Sequence, residues 1–300
     1  MNRTSIAMAA ATLLGGILIA ASTHSAVSAQ GHEPPIGGIH WARGQQPAAK
    51  PTKSPNLIYH GGPVMHGTVV EPIFWGVKWA DPNFAGDKIS GMQSFYSGVG
   101  GSTYAGTNTE YTDGSGHVSS AVSLGATYFD HSAAVTSANR TAPILAEVCA
   151  TIANPVSNGY YPVYIDNPRG HARFCAWHSV GTCSGVTVQF AFFFNLDDDA
   201  GCDPADPSGL HGQGTAALGN VSGHELSEAL TDRHVDAWYD SNGAENSDKC
   251  AWSFGTPLLS FTNGSQWKIQ GNWSNAAFNA GTGYANGSGQ NGCLDGGHYK

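Results

Sequence analysis

Basic residues are few: 13 Lys and Arg stand against 22 Asp and Glu in 300 residues, a formal charge of −9. So acidic a chain has no basic stripe for a phosphate backbone, which excludes nucleic acid as a partner. No CxxC pair occurs, so a cysteine-built zinc site is not expected. GxSxG is absent too, and no Ser or Cys sits in a recognisable nucleophile setting. Past the first 30 residues no apolar run approaches the ~20 residues needed to span a bilayer. No internal repeat is visible.

The start of the chain has a different character. Arg3 precedes an apolar run over Ile6–Ala21, and Val27-Ser28-Ala29 is a small-residue cleavage pattern. Residues 1–29 therefore read as a secretory signal peptide, and the mature protein as extracellular with no membrane anchor. Losing Arg3 takes the formal charge from −9 to −10. Residues 30–56 are rich in Pro, Gly and Gln, show no apolar period, and read as a linker or short pro-segment. One folded domain over residues 57–300, acting as a monomer, is expected.

Glycine is abundant, 40 of 300 residues, which suggests strands and tight turns. Six cysteines, all in the mature part, suggest three disulfides in an exported protein. Nearness along the chain suggests Cys149–Cys175, Cys183–Cys202 and Cys250–Cys293. Two strands are expected around the turn His60-Gly61-Gly62-Pro63, the second over Thr68–Trp75, with more strand at Val118–Phe129. Tyr160–Ile165 and Val186–Phe194 read as buried strands. Apolar residues at helical spacing predict helices over Lys88–Val99, Ser137–Ile152 and Gly212–Thr231. The fold class is α+β: a strand-rich N-terminal part, a motif helix, then a Gly/Asn-rich C-terminal lobe.

The motif is SGHELSEALTDRH, residues 222–234. Positions i and i+4 share a helix face, so His224 and Glu228 can reach one ion. Glu225 would lean over its open side, where the HExxH enzymes keep the general base that deprotonates water. With 13 His and seven Glu in the chain, composition alone yields HExxE about 0.01 times. A third ligand is offered by Glu245 or Asp248 in ENSDKC, in the manner of thermolysin-like sites, or by His234, where metzincins place theirs. Zinc is the expected ion; calcium or manganese also suits a carboxylate-rich set. His60, His66 and His178 could line a cleft, and Asp197-Asp198-Asp199 could bind calcium.

YHGGPV, FC followed by WH, HELSEALTD, AWYD and E-x-x-D-K-C occur in that order. Together they resemble the Exordium-like, phosphate-responsive secreted proteins over roughly Leu57 to Cys293. Plant members often carry Asn-Pro after the helix, where this chain has Asp232-Arg233. The resemblance implies an extracellular protein linked to cell-wall growth, with a zincin-like helix presenting His224, Glu225 and Glu228 and with Glu245 and Asp248 from the matching E-x-x-D-x-C. Two functions are therefore expected of this chain. One is a zinc-dependent peptidase acting on extracellular protein or peptide, with Glu225 catalytic. The other is a cell-wall polysaccharide or signalling binder in which the ion is structural.

Overall fold

The element that positions everything else is a helix that buries nearly all its residues. It spans Gln213–Thr231, and every position from Gly214 onward is buried. Its sequence explains how: Gly, Ala and Ser are spread around the helix rather than gathered on one stripe, so neighbours approach closely on every side. At Gly219 an added Cβ would lie 2.5 Å from the ring of Trp267, and at Gly223 it would lie 2.9 Å from Ile269 and the Tyr104 hydroxyl.

This computed structural model describes residues 33–47, 54–137 and 139–297. The expected leader, residues 1–29, lies outside them, as do residues 48–53 of the expected linker. Against the motif helix packs an eight-stranded mixed sheet. Its order runs Gly37–Trp41, Phe174–Cys183, Val186–Asn195, Gly159–Pro168, then the short strands Thr68–Val70 and Val122–Leu124. The first two pairings are antiparallel and the remainder parallel. Ile73–Trp75 and Tyr128–Asp130 extend the parallel part.

Val188–Asn195 is buried at every position, which requires cover on both faces. In the neighbouring strand Gly181 abuts Leu145 of the helix Ala142–Thr151, whereas His178 faces Glu228 of the motif helix. Residues three apart in a strand point to opposite faces, so the two helices cover opposite sides. The helix Lys88–Val99 packs beside the motif helix. The C-terminal part consists of strand pairs and turns, with two-residue strands such as Leu259–Ser260 and Gln266–Trp267.

Several expectations need correction. The stretch expected as linker contains the strand Gly37–Trp41, paired antiparallel to Phe174–Cys183, so the fold begins well before residue 57. Ile58–Tyr59 does not pair across the HGGP turn but with Trp238–Tyr239. Thr68–Trp75 is two strands, not one, because Pro72 has no N–H to give a ladder. The disulfides are Cys149–Cys183, Cys175–Cys202 and Cys250–Cys293, so only the last of the expected pairs forms. Cys175 and Cys183 sit at opposite ends of one strand, roughly 27 Å apart at ~3.4 Å per residue. The far end meets the helix carrying Cys149, and the near end meets the loop carrying Cys202.

Gly219→Ala tests the packing around the motif helix. Replacing a mid-helix Gly by Ala ordinarily stabilises by about 0.5–1 kcal/mol. Here the methyl group meets Trp267, so overpacking costing about 1–3 kcal/mol reverses the sign. The thermal midpoint of the variant is expected to fall; a rise would show the helix to be more loosely held.

Candidate metal centre

Four sequence-predicted residues come together: His224 and Glu228 from the motif helix, and Glu245 and Asp248 from the segment after it. A fifth, His178, joins them from the strand Phe174–Cys183. They form two donor sets that share Glu228: His224, Glu228 and Asp248 in one, His178, Glu228 and Glu245 in the other. Within each set the donor atoms lie within 4.8 Å of one another. No such set among the described residues contains both imidazoles, His234, or any of Asp197, Asp198 and Asp199. Asp197 instead pairs with Lys88, and Asp199 with Arg169. His66 pairs with Asp113, and His60 stacks on Tyr239.

The spacings suit metal ligation. His224 Nε2 is 3.1 Å from Glu228 Oε2 and 3.6 Å from Asp248 Oδ1. His178 Nε2 is 3.2 Å from Glu245 Oε2 and 3.8 Å from Glu228 Oε2. Donors about 2.0–2.2 Å from one tetrahedral zinc stand roughly 3.3–3.6 Å apart.

Three of the carboxylates accept a backbone N–H on one oxygen, and both oxygens of Glu245 also lie 3.2 Å from His178 Nε2. Glu228 Oε1 accepts from the Asp248 N–H at 2.9 Å, and its Oε2 has no hydrogen-bond partner. Glu245 Oε1 accepts from the Gly38 N–H at 2.9 Å, and Asp248 Oδ2 accepts from the Glu245 N–H at 3.2 Å. Backbone donors thus aim the free oxygens at the imidazoles.

Burial sets the electrostatics. Burial first, and neighbouring carboxylates second, push Glu225, Glu228, Glu245 and Asp248 well above the usual carboxylate range. Burial also holds His224 well below the ordinary imidazole value and lowers His178, so both are neutral, the form that binds metal. The nearby Lys249 is engaged by Asp240 at 2.8 Å. Neither oxygen of fully buried Glu225 finds a hydrogen-bond partner, although the His40 N–H lies near enough to oppose part of its rise.

Three supporting residues carried no sequence signal. Gln270 Nε2 approaches His224 Nδ1 at 2.9 Å and donates to the Ser247 carbonyl at 3.0 Å, while its Oε1 faces His40 Nε2 and the Trp252 N–H. With the amide so turned, Nδ1 accepts and the His224 proton sits on Nε2. Holding a cation through Nε2 needs that proton on Nδ1 and the amide reversed, which gives up the bonds to the Ser247 carbonyl and from the Trp252 N–H. His40 lies edge-on to His224, with ring centroids 4.4 Å apart. Gly38, at φ +30°, lies over the cluster: an added Cβ would fall 1.7 Å from Glu228 Oε2. The N-terminal strand thus closes one side. Of the five donor side chains only Asp248 is appreciably exposed, at 19%.

Gly38→Ala is expected to lower the thermal midpoint by the equivalent of about 1–3 kcal/mol or more, since backbone strain and a clash coincide. Gly44→Ala, also at positive φ but facing open space, is the control and should cost less. Equal effects would show that the strand does not seat against Glu228. A pH test follows from Asp232, which burial and then Glu245 raise from 3.8 to about 7. Between these values the folded form holds a proton that the unfolded chain has released, so stability falls as pH rises. The raised cluster carboxyls act in the same sense. Buried neutral His40, His178 and His224 act in the opposite sense around and below pH 6.5. In excess chelator the thermal midpoint should therefore drop from pH 7 to pH 9; an increase there would contradict the raised values. No family model, curated protein or solved structure matches this chain, so what the cluster does rests on its own geometry.

Proposed function

We propose that this protein is a secreted, metal-dependent hydrolase of polypeptides, an Exordium-like protein whose helix serves as a zincin-like motif helix. The observation that carries the reading is Glu225. A purely structural ion needs ligands only, yet here a further carboxylate, with both oxygens lacking hydrogen-bond partners, is buried against the ligand set. Keeping such a group buried is costly unless it has work to do. Three disulfides fit export to an oxidising compartment. Among the described residues no helix is long and apolar enough to cross a membrane.

The residues divide the work as follows. His224, Glu228 and Asp248 hold the cation, zinc being favoured by a mixed nitrogen and oxygen set. The cation supplies Lewis acidity and acidifies water beside it. Glu225 takes a proton from the attacking water, whose oxygen bonds to the peptide carbonyl carbon. It then passes that proton to the amine that leaves as the C–N bond breaks. Gln270 fixes the His224 ring.

The strand Gly37–Trp41 lying over the cluster favours a second reading, a cell-wall or signalling binder with a structural ion. One pair of variants separates them. Under the hydrolase reading Glu225→Gln keeps wild-type metal content but loses peptide cleavage by at least about 10²-fold, as removal of a general base does. His224→Ala should lose cleavage together with the cation held by His224, Glu228 and Asp248. Cleavage retained in Glu225→Gln would overturn the mechanism. Metal bound with no cleavage of any peptide library by the wild type would leave the binder.

A further inference from the structure

We infer that the cluster holds two divalent cations, bridged by Glu228. It rests on the cluster being a cation site, and not on hydrolysis. The second position is formed by His178, Glu228 and Glu245, beside the first formed by His224, Glu228 and Asp248.

Geometry is the first ground. One ion within about 2.2 Å of both imidazole nitrogens would require them to lie within roughly 4.4 Å. Among the described residues no donor set brings the two imidazoles together. An ion seated in one set leaves the His and the separate carboxylate of the other without a cation. Glu228 Oε2 stands between them, 3.1 Å from one ring nitrogen and 3.8 Å from the other, with no hydrogen-bond partner of its own. A shared carboxylate oxygen in that position is what bridges paired cations about 3.5–4 Å apart.

Charge is the second ground. Glu225, Glu228, Glu245 and Asp248 together bring four negative charges when ionised, and no Lys or Arg among the described residues pairs with any of them. Two dications match four carboxylates in charge, whereas one leaves two of them to be offset by protons. The donors also divide evenly: each position receives one imidazole nitrogen, one carboxylate of its own and a share of Glu228. That composition suits zinc or manganese rather than calcium, which takes oxygen ligands alone.

His178 is the residue this assigns anew. It lies on the edge-side strand Phe174–Cys183, not on the motif helix, and its side chain is 2% exposed. Full-length secreted protein, loaded with excess zinc and freed of loose metal by gel filtration, should contain two zinc ions per chain. His178→Gln should fall to one, and His224→Gln should also fall to one. A single zinc in the wild type, or two in His178→Gln, would overturn the second site while leaving the first intact. No bound zinc would overturn both. Should His178→Gln fail to fold, judged by near-ultraviolet circular dichroism, wild type loaded with manganese decides instead. Electron paramagnetic resonance is then expected to read a spin-coupled pair, and the hyperfine pattern of isolated ions would overturn the bridge. Two ions without peptide cleavage would sink the hydrolase reading and leave this one standing.

Discussion

Four carboxylic acids share one cluster with two neutral imidazoles, and among the described residues no Lys or Arg forms an ion pair with any of them. That constraint governs the rest of the molecule. Charge of one sign cannot be gathered in a protein interior without protons or cations to offset it. Three of the four acids, Glu228, Glu245 and Asp248, are also held by a backbone N–H to one oxygen. Chains that merely tolerate buried acids have no reason to aim them.

Everything near the cluster serves to hold these groups in place. The motif helix is built from small residues so that Trp267, Tyr104 and Ile269 can press against it and bring Gln270 onto His224. Ser247 ties the segment carrying Glu245 and Asp248 back to the helix through the His224 carbonyl and Asn272. Cys250–Cys293 then fastens that segment to the C-terminal strands. The closing strand Gly37–Trp41 adds the last donor, the Gly38 N–H to Glu245.

What the sequence revealed follows from which contacts are local. The helix Lys88–Val99 was legible because its apolar residues recur at helical spacing, and the structure has it over the same residues. The strand Val186–Asn195 was legible over Val186–Phe194 because that stretch is mostly apolar and aromatic. His224, Glu225 and Glu228 share one helical turn, so their association could be read as a motif, and ENSDKC lies close enough downstream to be suspected. Gly37–Trp41 was read as linker because its pairing partner lies far along the chain and GGIHW has no period of its own. The partnership of Gln270 with His40 and His224 leaves no local trace, since it depends on the C-terminal strands folding back over the helix. The disulfides failed for a related reason: a ten-residue strand carries its two cysteines apart, so closeness in sequence is not closeness in space.

The account stands or falls on whether cations take the place of protons in this cluster. The direct test is calorimetric titration of chelator-stripped protein with zinc at pH 7, repeated in buffers of different ionisation enthalpy. If the carboxyls are protonated without the ion and ionised with it, zinc binding must release more than one proton per chain. Zinc binding with no proton release would mean that the carboxylates were already ionised, and no binding would mean that the cluster is not a metal site.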